Sequence, residues 1–370
     1  MDRRSFLKSS AAATAASSLP TFAPFAWAQE RRFDPRPGTW RTYEITTQVE
    51  VLKPVGLTRV WLPIPSVDSE YQKSQASQWS GNARTMQSLS DGKYGADMLY
   101  AEFAESESTP TVTLTSRFQT QNRATDWSRK VAAREDAATL KFWTAPTDLM
   151  PTDGIVRDTA VEVTRGKRSD IEKTQAIYDW IVANTYREPK VRGCGVGDIK
   201  AMLETQNFGG KCGDINALFV GLCRAVGIPA RDVYGIRLVP SAFGYRELSG
   251  NPTNLKAAQH CRAEVFLREY GWVPMDPADV GKVMRLETGD WIRDVSHPVV
   301  APVNKALFGG WEGNWLAFNT AHDVTLPNAR TRAKLGFLMY PQCETAEGMK
   351  DSLDPDNFKY TITARELSAA

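Results

Sequence analysis

From Trp40 onward the chain alternates between apolar and polar positions. Tyr43, Ile45, Thr47, Val49 and Val51 fall on one face of an extended segment, and Thr42, Glu44, Thr46, Gln48 and Glu50 fall on the other, the period-2 pattern of a half-buried strand. The alternation returns at Leu99, Ala101 and Phe103, and again at Val112, Leu114, Ser116 and Phe118, with Gly-, Ser- and Pro-rich turns between. The spacing predicts an all-β module, a sandwich, over residues 29–135.

The period then lengthens to that of helices. Ser169-Asp170-Ile171-Glu172 has capping-box spacing, and Ile177, Trp180, Ile181 and Asn184 follow on one stripe. A short helix is expected from Asp198, burying Ile199, Met202 and Leu203. The strongest amphipathic stretch begins at Cys212, where Ile215, Leu218, Phe219, Leu222 and Val226 recur at helical spacing. Arg224 in the last turn, Gly227 at the cap and Pro229 beyond each suit a helix stop. Strands return through Phe266 and Val273, around Trp315–Phe318, at Leu335–Met339 and at Phe358–Ile362. The chain shows no internal repeat and no low-complexity segment beyond its N-terminal stretch.

That N-terminal stretch sets the compartment. Arg3-Arg4, an Ala/Ser-rich apolar run and Ala26-Trp27-Ala28 stand in the order of a removable twin-arginine export signal, so residues 1–28 are set apart from the fold and the mature protein is expected in the periplasm. The whole chain carries a formal net charge of +2; losing Asp2, Arg3, Arg4 and Lys8 with the leader brings it to zero. No basic footprint for nucleic acid remains, and no apolar run is long enough for stable membrane insertion. With only three histidines, no CxxC pair and no HExxH, neither a metal nor another cofactor is expected. Five cysteines are an odd number for an oxidising compartment. If one is a nucleophile, Cys194, Cys223, Cys261 and Cys343 remain with their pairing open; Cys223 falls on the buried face of its helix, which argues against a disulfide there.

Cys212 is the candidate nucleophile. A thiol at a helix N-terminus is stabilised as thiolate by the unpaired N–H groups, and the Cys212 N–H is the natural donor to the oxyanion of a tetrahedral intermediate. Gly209 and Gly210 ahead of it would let a substrate backbone approach. His260 opens a strand in which Cys261, Ala263, Val265 and Leu267 form the apolar face. A return strand begins at Trp272. If the turn centres on Glu269, Val273 faces Val265 and Met275 faces Ala263, which puts Asp276 on the face of His260; a slip of one residue would favour Asp279 instead. Thiolate, imidazole and a carboxylate that fixes the imidazole tautomer are the parts that nucleophilic acyl transfer requires.

Gly210-Lys211-Cys212-Gly213-Asp214 through Leu218-Phe219, then Leu222-Cys223-Arg224-Ala225-Val226-Gly227-Ile228-Pro229-Ala230-Arg231, resembles the first half of the bacterial transglutaminase-like core. His260 with Ala263-Glu264-Val265, then Gly271-Trp272-Val273-Pro274-Met275-Asp276-Pro277, resembles the second half. The likeness extends upstream to Phe142, covering about residues 140–285. It implies an α+β, papain-like core at 136–295 with Cys212, His260 and Asp276 as catalytic triad, preceded by the sandwich and followed by a β segment, 296–370, that completes or caps the core. Arg262 stands where many relatives carry an aromatic residue.

Around this set, Arg262 and Trp272 are candidate substrate contacts, Arg262 being equally able to pair with Asp276 and compete for it. Gln206, six residues before Cys212, has the offset at which papain-type proteases place an oxyanion-hole amide. His297 and His322 have no nucleophile near them in sequence and are expected to be structural or surface residues. The expected partner is a peptide or protein amide in the cell envelope, with hydrolysis favoured over transamidation. The competing expectation is a binding or scaffold protein that uses the same core without catalysis.

Overall fold

The alternation at the start of the chain does become a strand, Arg41–Glu50, and its neighbours explain why it is apolar on one side only. In the computed structural model, which describes residues 31–354 and 356–369, it is the second strand of a four-stranded sheet ordered Lys359–Ala369, Arg41–Glu50, Thr111–Thr120, Gln72–Gly81. Tyr43 pairs with Phe118 and Val49 with Val112. Their side chains are buried in the main core, and the Tyr43 and Phe118 rings stack at 5.8 Å. A second antiparallel sheet runs Gly348–Met349, Gln342–Thr345, Thr58–Pro63, Asp97–Phe103, Thr85–Ser90.

The expected C-terminal segment divides between the two halves of the molecule. Trp315–Asn319 completes the core sheet as the sequence suggested, whereas Gln342–Thr345 and Lys359–Ala369 complete the two N-terminal sheets. The boundary expected at 295/296 is therefore crossed by strand pairing. The physical reason is that Arg41–Glu50 buries a full apolar face and needs hydrogen-bonding partners on both edges, which the N-terminal segment alone does not supply.

The core sheet is antiparallel, in the order Gly271–Met275, Gln259–Leu267, Ala230–Arg237, Trp315–Asn319. Every residue of Gln259–Leu267 is buried. Against the sheet lies the helix Cys212–Ala225, whose residues are likewise all buried, because Gly154–Val163, Asp170–Asn184 and Pro277–Leu286 cover its remaining sides. Asp170–Asn184 begins with the capping box anticipated from Ser169 and Glu172. Ile199–Thr205 is capped by Asp198. A helix enclosed on every side reads as amphipathic only along its most apolar stripe, and the cost of burying its polar positions is offset by specific partners.

Candidate active site

Cys212 is the first residue of its helix and only 3% exposed. Its backbone N–H meets no acceptor among the described residues. Asp214 fixes the approach to it. One carboxylate oxygen accepts the Lys211 N–H at 2.9 Å, the other the Val196 and Gly197 N–H groups at 2.8 and 2.9 Å. The loop before Val196 is held as well, since Gly213 N–H donates to the Cys194 carbonyl at 2.8 Å. Gly195 sits at φ +90°, and a Cβ there would fall 1.8 Å from the Asp214 carboxylate. The glycines ahead of Cys212 are likewise required by the protein's own packing: added Cβ atoms would meet the Tyr186 ring at Gly209 and Asp214 at Gly210.

His260 arrives from the sheet. The hairpin has the register in which Ala263 faces Met275 and Val265 faces Val273. The chain beyond Met275 turns into the helix Pro277–Leu286 with Asp276 as its N-cap. His260 Nε2 lies 2.7 Å from Asp276 Oδ2, which leaves Nδ1 for another partner, and His260 and Cys212 line the same cavity. Asp276 Oδ1 accepts the Asp279 N–H at 3.1 Å and the Asn216 amide at 3.2 Å. Asn216 is fully buried one helical turn after Cys212; its Nδ2 also donates to the Cys261 carbonyl, and its Oδ1 accepts the Ala278 N–H. This side chain was not singled out from sequence. Its one signal was a polar residue between apolar positions of a helix four residues after the candidate nucleophile.

Asp279 is also closer than the register argument allowed. Its carboxylate lies 3.3 Å from His260 Nε2 and holds Arg237 Nη2 through both oxygens, at 2.5 and 2.6 Å. Burial and Arg237 oppose charge on His260, but Asp279 and Asp276 outweigh them and push it up to about 9. Cys212 is held well below the ordinary thiol range by hydrogen bonding with Cys194 and Cys261, with His260 acting in the same direction against burial. The sulfurs of Cys194, Cys212 and Cys261 lie within 4.8 Å of one another, close enough to serve as ligands to a soft metal ion. All five cysteines are free and buried.

A cavity of about 550 Å³ opens beside Cys212 and His260. The three lesser candidates lie outside its wall. Gln206 is the exposed, left-handed C-cap of Ile199–Thr205 at φ +54°, because the chain must reverse there, and its amide makes no contact with Cys212. Arg262 is 2% exposed: its guanidinium stacks on Trp315 and Trp311, donates to the Glu312 carbonyl, and brings Nε to 3.6 Å from Asp276 Oδ2. It therefore faces Asp276 and the sheet's aromatic layer and is closed to substrate. Trp272 stands at the far end of the hairpin, donating to Glu135 under the guanidinium of Arg231. His322 is buried against the Tyr234 hydroxyl at 3.0 Å; neither it nor His297 lines the cavity.

Comparison with known proteins bears on the family and the fold. Residues 157–277 match the family model of the transglutaminase-like superfamily, and residues 1–20, which precede the described part, match that of the twin-arginine translocation pathway signal sequence. An uncharacterized protein of Haemophilus influenzae is 33% identical over 343 residues, covering 88% of this chain and 91% of its own. A proposed cysteine protease of Cytophaga hutchinsonii has the same fold at TM-score 0.55, with 14% identity, 90% of this chain and 93% of that one covered. The periplasmic domain of TgpA from Pseudomonas aeruginosa is 14% identical at TM-score 0.33, over 75% of this chain and 98% of that one.

Proposed function

Because the chain belongs to the transglutaminase-like superfamily, we propose that it is an exported, periplasmic cysteine acyl-transfer enzyme that cleaves amide bonds through Cys212, His260 and Asp276. One observation carries the reading: a buried thiol at a helix N-terminus faces an imidazole whose other nitrogen is held by a carboxylate at 2.7 Å. The raised His260 and the lowered Cys212 both favour thiolate and imidazolium as the resting pair.

The steps follow from that pair. The Cys212 thiolate attacks the amide carbonyl carbon, and the oxyanion receives the free Cys212 N–H. Collapse breaks the C–N bond, and the imidazolium gives its Nδ1 proton to the leaving amine. Neutral His260 then takes a proton from water, whose oxygen attacks the thioester carbonyl; collapse breaks the C–S bond, releases the acid and restores the Cys212 thiolate beside the His260 imidazolium. Asp276 keeps the ring in the tautomer with hydrogen on Nε2 and steadies its positive charge in both half-reactions. An amine in place of water would give transamidation by the same steps. Water, abundant in the periplasm, makes hydrolysis the favoured outcome.

The test is to incubate the mature protein with a mixture of peptide amides, with and without a primary amine, and to follow products by mass spectrometry. Hydrolysis products that vanish in Cys212→Ala support the reading, and amine adducts assign transamidation instead. No turnover, with peptides bound equally by wild type and Cys212→Ala, would replace it with a non-catalytic binding protein.

A further inference from the structure

Besides His260, the cavity beside Cys212 is lined by four arginine and lysine side chains, Arg187, Arg237, Lys256 and Lys282, and by one carboxylate, Asp279. Arg237 is committed to that carboxylate. Lys282 donates to the Glu247 carbonyl at 2.6 Å and lies 3.5 Å from the Glu247 carboxylate, and Lys256 lies over the Tyr360 ring. Arg187 is different. Among the described residues its side chain makes no ion pair and no hydrogen bond, and its Nε is buried without a partner. It is also fixed in place: the two-residue strand Tyr186–Arg187 pairs with Gly209–Gly210, so Arg187 stands beside the segment that leads directly into Cys212.

A second polar side chain in the same wall is left over. Gln259, next to His260 on the core strand, is 7% exposed and lines the cavity, yet neither its amide nitrogen nor its amide oxygen has a partner. A buried carboxamide with both ends free costs the fold stability unless something else satisfies it. An amide offers a donor and an acceptor together, which is what a peptide unit requires; a free guanidinium offers a fork of donors, which is what a carboxylate requires.

We propose that this cavity is a subsite for an acyl donor that carries a free carboxylate, bound by Arg187, with a peptide unit of the donor paired to the amide of Gln259. The inference rests on Cys212 being the nucleophile and names the substrate class: an acidic peptide, its carboxylate on a side chain or at a C-terminus. Burial lowers Lys211 and Lys282 below the usual lysine range, with Arg187 adding to it at Lys211 and Arg237 and, to a lesser extent, Arg187 at Lys282, which accords with a positive site awaiting an anion.

The direct test compares two alkylating reagents of nearly equal size on Cys212, anionic iodoacetate and neutral iodoacetamide. The imidazolium of His260 favours iodoacetate in every variant, so the difference made by Arg187 decides. The iodoacetate-to-iodoacetamide rate ratio is expected to exceed that of free cysteine, and to fall about fivefold in Arg187→Gln, the size of one near charge at a partly solvated site. Arg192→Gln, at an exposed arginine paired with Asp351 outside the cavity, should keep the wild-type ratio. A wild-type ratio no higher than that of free cysteine, or one that Arg187→Gln leaves unchanged, overturns the subsite.

Should Cys212 react with neither reagent, the acyl-transfer reading fails, and the subsite is decided by binding alone. Nuclear magnetic resonance titration of Cys212→Ala with acetyl-Ala-Glu-amide and acetyl-Ala-Ala, each against its uncharged amide counterpart, supplies that measurement. Preference for the first acid assigns a side-chain carboxylate, and preference for the second a C-terminal one. Equal affinity of both acids and their amides sinks the proposal.

Discussion

Asp276 and Asp279 are three residues apart, both buried and both within reach of His260, and they differ in what else they hold. Asp276 caps a helix and takes the ring nitrogen, whereas Asp279 neutralises Arg237. Asp279→Asn leaves a buried guanidinium unpaired and is expected to cost about 3–5 kcal/mol, read as a lowered urea midpoint. Asp276→Asn keeps an N-cap side chain and should leave the fold standing, while slowing Cys212 alkylation more than Asp279→Asn does. The sequence pattern led to Asp276 because Val273 and Met275 had to face Val265 and Ala263. Asp279 entered that reading only as the alternative to Asp276 in a slipped register, whereas it reaches His260 with the register unslipped. Pro277 at the first helical turn with an acid two residues later marks a helix start, and a helix start returns the third residue to the cap. The pH dependence follows from His260. Its folded value, about 9, lies above its unfolded one, so its charge stabilises the fold fully below about 6.5 and that contribution is lost as pH rises through about 9. Amide cleavage should fall over the same upper range, because the proton for the leaving amine is gone. A cleavage rate still rising at pH 10 would contradict the assignment of His260 as acid.

At the scale of elements, the Cys212–Ala225 helix and the Gln259–Leu267 strand were legible because their most apolar residues recur with the helical and the strand period, although both elements are buried throughout. The strands Gln72–Gly81 and Thr85–Ser90 were not, since both are sheet edges exposed along most of their length and their polar sequences carry no alternation. The loop at Cys194–Gly197 was equally silent, for its shape is set by Asp214 from eighteen residues away and not by its own residues. That dependence is testable. In Gly195→Ala the new Cβ meets the Asp214 carboxylate, and the positive φ adds strain of about 1–3 kcal/mol. Besides a lower melting temperature, the variant should show slower alkylation of Cys212, because the same carboxylate holds the start of its helix. Unchanged reactivity in a folded Gly195→Ala protein would detach the loop from the site.

For the whole molecule, the last strand closes a sheet begun over three hundred residues earlier, with Phe358, Tyr360 and Ile362 buried. Deleting residues 358–370 removes roughly 4–9 kcal/mol of apolar burial, comparable to the total stability of a typical protein. The shortened chain is therefore expected to fail to fold, as judged by circular dichroism, although no residue of the Cys212, His260 and Asp276 set is touched. A cooperative melt close to that of the full chain would show that the core stands without its sandwich. This long-range closure was not legible in the sequence: Phe358–Ile362 announced a strand, but periodicity says nothing about which sheet a strand joins.

The central claim is that Cys212 is a thiolate activated by His260, and the most direct test is the rate of its alkylation by iodoacetamide at pH 6.5, mapped by peptide mass spectrometry in folded mature protein. The account predicts that Cys212 reacts at least about a hundredfold faster than Cys194, Cys223, Cys261 and Cys343, and that His260→Ala slows it about tenfold or more while circular dichroism stays native. Equal labelling of the five cysteines, or a Cys212 rate that His260→Ala leaves unchanged, would contradict it.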